Sequence, residues 1–83
     1  VRRFAPLKDV DAIYRARYGE ALVALGRSLS ASGRRGDSCA PLAAAMHIAD
    51  ELTVTNRSHL MRQDEVSDGR TLLAGCQAGR GPR

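Results

Sequence analysis

Leu42-Ala43-Ala44-Ala45-Met46-His47-Ile48-Ala49-Asp50-Glu51-Leu52-Thr53-Val54-Thr55-Asn56-Arg57-Ser58-His59-Leu60 is the stretch on which the fold turns. Leu42, Ala45, Met46 and Ala49 recur at helical spacing and share one face. Two architectures then compete. Thr53-Val54-Thr55 is a β-branched run, which lowers helix propensity, and Thr53 is a competent N-cap. A break between His47 and Leu52, with a new helix from Thr53 to about Gln63, makes residues 38–63 a helix-turn-helix segment. The competing reading is one unbroken helix from Pro41 to Gln63.

Upstream, Val10, Tyr14, Tyr18, Ala21, Leu25 and Leu29 recur every three or four residues, and Ile13 and Leu22 widen the stripe. This predicts an amphipathic helix over residues 9–30 with the stripe as one face, through which the chain is expected to dimerise. Asp9 or Asp11 suits its start. Gly, Ser and charge between Ser28 and Ser38 predict a loop. Asp37 or Ser38 then caps the next helix, with Pro41 in its first turn, where the missing N–H costs nothing. Downstream, Asp68-Gly69 suits a hairpin turn, so residues 64–74 form a candidate wing with a short strand at Thr71-Leu72-Leu73. Residues 75–83 form a basic, Gly-rich tail, and residues 1–8 a basic lead-in.

The chain of 83 residues is a single small domain, 1–83, with 4% aromatics and no Trp. A domain this small buries only about 60–65% of its unfolded surface, so a second copy would supply missing buried area, and a homodimer is expected. The net charge is +4 and the pI about 9.8. Lys8 is the only lysine. Arginine grips phosphate bidentately, which suits a nucleic-acid partner; codon bias toward Arg explains the composition equally well. Cys39 and Cys76 read as reduced thiols, since a disulfide framework in so small a chain normally uses more cysteines. Neither has a second ligand at zinc spacing. There is no membrane-length apolar run and no signal-peptide pattern, so a cytoplasmic location is expected. No nucleophile–base pair, metal cluster or phosphate-cradling loop occurs at a useful spacing. The expectation is a protein that is not an enzyme, with no catalytic residues, no cofactor and no metal.

The helix-turn-helix reading gives the polar residues a role. Thr53, Thr55, Asn56, Arg57 and His59 would form the donor-rich flank of the second helix. Asn and Arg are the side chains that read adenine and guanine in the major groove. Here the sequence resembles the MarR family of winged-helix transcriptional regulators. Residues 41–48 resemble the first helix of the family's motif, and Thr53-Val54-Thr55-Asn56-Arg57 the start of its recognition helix. Asp68-Gly69-Arg70, with Leu72, Leu73 and Ala78-Gly79-Arg80, resembles the wing and the segment after it. The resemblance implies that Thr53, Thr55, Asn56, Arg57 and His59 enter the major groove. It also implies that Arg70, oriented by Asp68, reaches a minor groove, and that a homodimer represses at a palindromic operator. The chain departs from the family in a link one residue longer after Ile48 and a shortened stretch from Asn56 to Asp68. The expected fold is therefore all-α or mainly α, a helix-turn-helix with a stunted wing hairpin.

Three rivals stand beside it. Residues 11–19 resemble the opening helix of region 2 in extracytoplasmic-function sigma factors. Residues 36–52 resemble the helix of ZapA-type cell-division proteins, a helical interaction module that requires an unbroken helix through residues 41–63. The third is a gene remnant without a selected function.

Overall fold

Two residues in the left-handed region, Gly33 (φ 83°) and Asn56 (φ 64°), set where the chain turns. The structure, a computed structural model, describes residues 8–79, with side chains for residues 10–78. It contains helix α1 (Lys8–Ala31), helix α2 (Arg35–Val54), a short 3-10 turn (Ser58–Leu60) and helix α3 (Gln63–Gly79). No strand occurs among the described residues, so the all-α class holds.

Both turns use the same device. After α1, the Gly33 N–H donates to the Ser30 carbonyl (3.2 Å) and the Arg34 N–H to the Leu29 carbonyl (2.8 Å). After α2, the Asn56 N–H donates to the Thr53 carbonyl (3.0 Å) and the Arg57 N–H to that of Leu52 (2.6 Å). Each pair is a Schellman closure, with Gly or Asn at the left-handed position.

Several sequence expectations are corrected. Helix α2 begins at Arg35 and runs without a break through His47–Leu52 to Val54. Thr53 therefore lies in the last turn of a helix and does not begin one. Leu52 is 3% exposed, continuing the buried face of Ile48 and Ala49 through the predicted break. The Thr53 hydroxyl donates to the Ala49 carbonyl (2.9 Å), which seats a β-branched residue within the helix. The continuous alternative is also too long, because Asn56 stops the helix well before Gln63. Pro41 sits inside α2, beyond its first turn.

The predicted wing over residues 64–74, with its strand at Thr71–Leu73, lies wholly within α3. Asp64 and Glu65 occupy the first turn of α3, where acids suit the helix dipole. Buried Val66, Gly69 and Cys76, with half-buried Leu73, follow a helical spacing of three and four. Gly69 is a point of close packing rather than a turn, since a Cβ there would lie 2.6 Å from Met46 Cε and 3.1 Å from Val23 Cγ2. Of the predicted basic tail, residues 75–79 are helical. Residues 80–83, and the lead-in apart from Lys8, lie outside the described residues.

The large side chains of the stripe on α1, Val10, Ile13, Tyr14, Tyr18 and Leu25, face away from the core. The core side of α1 is Ala12, Ala16, Gly19, Val23 and Gly26, all buried. Small side chains let α2 approach closely, and the Gly26 site is occupied by Leu42, whose Cδ2 would lie 2.5 Å from an added Cβ. The two cysteines are joined in a disulfide between α2 and α3 with Cα atoms 5.7 Å apart, correcting the expectation of reduced thiols.

Candidate functional site

Of the residues predicted to read DNA, all but Arg70 are placed in the last turn of α2 or in the α2–α3 connection. Thr55 caps α2 with its hydroxyl donating to the carbonyls of Glu51 (3.1 Å) and Leu52 (3.2 Å). Asn56 occupies the left-handed stop. Arg57 is half-buried and its Nη1 donates to the Thr55 carbonyl (3.2 Å). His59 is exposed in the 3-10 turn. Thr55, Asn56, Arg57 and His59 line one open concavity of about 540 Å³ with Ile13 and Leu60. Thr53 and Arg70 are separated from them and border a smaller hollow of about 110 Å³ with Ser58 and Gln63. Arg70 Nη2 donates to Asp50 Oδ1 (3.2 Å), which pairs it across α2 and α3.

Ion pairs run along the helix interfaces. Arg27 on α1 bridges Glu65 (2.8 Å) and Asp68 (2.6 Å) on α3. The hydrogen bonds that Arg27 donates to both carboxylates, that to Glu65 foremost, raise its pKa above the ordinary value. Arg62 and Asp64 pair at 2.8 Å. Their mutual hydrogen bond raises the pKa of Arg62 and lowers that of Asp64. Arg15 pairs with Glu51, and Arg17 with Glu20 at 2.8 Å. Arg17 Nη2 also donates to the Leu60 carbonyl (2.9 Å), tying α1 to the turn.

Charge arithmetic changes the meaning of the basic composition. Residues 10–78 hold eight arginines and eight carboxylates, and so carry no net formal charge. The surplus of four comes from outside them: Arg2, Arg3, Lys8, Arg80 and Arg83 against Asp9.

A larger groove of about 790 Å³ lies between the start of α1 and the end of α2, lined by Ala12, Leu52, Val54, Asp11, Asp50 and Glu51 among others. No cluster of His, Cys, Asp and Glu able to hold a metal occurs among the described residues. No described helix is long and apolar enough to cross a membrane.

The most conspicuous surface feature is the outer side of α1. Val10 (47% exposed), Ile13 (43%), Tyr14 (70%), Tyr18 (61%) and Leu25 (49%) stand in solvent on the side away from the core. Both tyrosines of the chain are here. The stripe is visible in the sequence, but its orientation is not. The second repeat on the same helix, Ala12, Ala16, Gly19, Val23 and Gly26, is built of small residues that a search for large apolar side chains passes over. That repeat has spacings of four and three throughout, the signature of a helix packed along its length against another.

No family model, curated protein or solved structure matches the chain. The functional reading therefore rests on the residues themselves.

Proposed function

We propose that the chain is a helical protein–protein interaction module whose binding face is the outer side of α1. The observation that carries this is the exposed row Val10, Tyr14, Tyr18 and Leu25 on a helix whose opposite side already fills the core. Large apolar side chains arrayed in one row on a small domain mark an interaction surface, whereas scattered ones do not. Tyrosine suits such a face, because its ring buries much area at little entropic cost and its hydroxyl keeps a polar partner. The formal electroneutrality of residues 10–78 removes the drive toward a polyanion over that span and suits a protein partner. This reading gives the module no catalytic residue. The Cys39–Cys76 bond weighs against the expected cytoplasmic location, since disulfides persist mainly in oxidising compartments.

The test is a double variant, Tyr14→Glu with Tyr18→Glu. Purified from cells that express it, the unaltered chain should retain a stoichiometric protein partner, either another protein or a further copy, that the variant loses. Equal retention by both would remove α1 from the interaction.

A second reading is the MarR-like, DNA-binding transcriptional regulator acting in the cytoplasm on a duplex. It is supported by the gathering of Thr55, Asn56, Arg57 and His59 around one concavity and by the cations at the two ends of the chain. On this reading Arg57→Ala weakens binding to a cognate duplex by about 1–3 kcal/mol. Gel-shift titration at fixed salt decides it, and equal affinities count against it.

A further inference from the structure

We propose that the Arg34–Arg35 bond, between α1 and α2, is a cleavage site for a trypsin-like, arginine-specific endopeptidase, and that the cut frees α1 from a disulfide-held α2–α3 pair. This goes beyond the protein-binding reading of α1 and does not depend on it. Such an enzyme reads a guanidinium with a carboxylate in its pocket. It also needs the backbone on both sides of the bond drawn out, so a folded chain is cut where it opens locally at least cost. Arg34 and Arg35 stand where both demands are met.

From Ala31 to Asp37 every side chain is exposed. A Cβ added at Gly33 or Gly36 would meet nothing within 4 Å, so the segment stands clear of the rest of the fold. The bonds that close it are local. Ser32 donates its N–H to the Ser28 carbonyl (3.0 Å) and its hydroxyl to that of Leu29 (3.1 Å), and the Asp37 N–H donates to the Arg34 carbonyl (3.0 Å). Helix α2 starts at Arg34 without a side-chain cap, which leaves its first turn weakly closed. The Arg34–Asp37 pair is exposed on both sides (64% and 58%), and pairs of that kind contribute little. Opening this segment uncovers no core. The fold takes hold at the Arg35 carbonyl, which accepts from the Ser38 hydroxyl (2.6 Å) and lies 3.1 Å from Cys76 Sγ. That favours the bond before Arg35 over the bond after it.

The connection between α2 and α3 also carries arginines, Arg57 and Arg62, but it is tied to its surroundings. The Arg62 N–H donates to Glu20 Oε2 (2.8 Å), and the Leu60 carbonyl accepts from Arg17 (2.9 Å). The Gln63 amide donates to the carbonyls of Ser58 (2.8 Å) and Met61 (3.0 Å), and Met61 is buried. Arg15, Arg17, Arg27 and Arg70 lie inside helices.

The cut adds water across the peptide bond, leaving a carboxylate on Arg34 and an ammonium on Arg35. Cys39 and Cys76 both lie on the C-terminal side, so the disulfide joins α2 to α3 and does not retain α1. The contacts of α1 then become bimolecular and lose the effective concentration that a short connection supplies. Its core side is made of small residues, Ala12, Ala16, Gly19, Val23 and Gly26, which bury little apolar area each. Helix α1 dissociates, and Leu42 and Ile48, which pack at Gly26 and Gly19, lose their cover.

Brief digestion of the oxidised full chain with trypsin at a low enzyme ratio tests the site, with new amino termini identified by mass spectrometry. The first cut within residues 10–78 should fall at Arg34–Arg35, roughly tenfold or more faster than at Arg57 or Arg62. It should vanish in a chain carrying Arg34→Gln with Arg35→Gln, whose helix content far-UV circular dichroism checks. A first cut at Arg57 or Arg62, or equal rates at all arginines, overturns the site. A first cut after Arg35 overturns the choice of bond. Size exclusion of the nicked chain at low micromolar concentration, without reductant, reads the second step. The α1 fragment should elute apart from the α2–α3 fragment; co-elution of the two overturns the release.

Discussion

Asn56 shows how one residue type serves two chemistries that sequence cannot separate. Its amide suits an adenine edge, and its short polar side chain also tolerates the left-handed backbone. The structure uses the second property, since Asn56 has φ 64° and closes α2 through the bonds to Thr53 and Leu52. The same ambiguity touches Thr53 and Thr55, whose hydroxyls bond to carbonyls of their own helix. Substitution at position 56 separates the roles. Asn56→Ala should destabilise the fold by about 1 kcal/mol, because alanine pays the steric cost of the left-handed region. Asn56→Gly should leave stability unchanged or slightly raised. Urea unfolding of the three proteins measures this. Indistinguishable midpoints for Ala and Gly would show that the turn does not depend on backbone freedom there. Because Asn56→Gly keeps the fold, it also asks about DNA cleanly: a loss of duplex affinity in that variant would have to come from the missing amide.

At the scale of elements, helical character is legible in the sequence and helix limits are not. The four-and-three spacing over residues 9–30 predicts α1 correctly to within a residue or two of Lys8–Ala31. The same rule does not show which side the core takes, because a search for large apolar side chains picks out Tyr14 and Leu25 while packing buries Ala16 and Gly26. Close helix approach needs small residues, and α1 provides them where Leu42 and Met61 press in. The Asp68-Gly69 pair misleads for a related reason: a glycine required for contact with Met46 reads as one required for a turn. What sequence cannot supply is the neighbour that makes a glycine necessary. Two substitutions make the point quantitative. Gly26→Ala drives a methyl into fully buried Leu42 and should cost about 1–3 kcal/mol, the range for overpacking a core. Gly75→Ala has nothing within 4 Å of the added carbon and lies within α3, so it should stabilise by up to about 1 kcal/mol. Opposite shifts of the thermal midpoint are expected, and shifts of the same sign would contradict the packing argument.

At the scale of the whole molecule, the described residues form a small three-helix assembly whose third helix is fixed in two ways. Val66, Gly69 and half-buried Leu73 pack on α1 and α2, and beyond them Ala74, Gly75, Gln77 and Ala78 are exposed, so Cys76 is the remaining anchor. The Cys39–Cys76 bond closes a loop of 37 residues, which by chain entropy stabilises the fold by about 4 kcal/mol. An 83-residue chain has a total stability of roughly 4–12 kcal/mol, so the bond carries a large share of it. Reduction with dithiothreitol should therefore lower the melting temperature by roughly 15–30 °C at this chain length. The Cys39→Ala, Cys76→Ala double variant should melt near the reduced protein. The α1 face lies on a different helix from both cysteines, so any dimer seen below the reduced melting point should persist. A melting temperature unchanged by reduction would mean that the packing of Val66 and Gly69 alone holds α3, and that the bond adds little beyond what those contacts already fix.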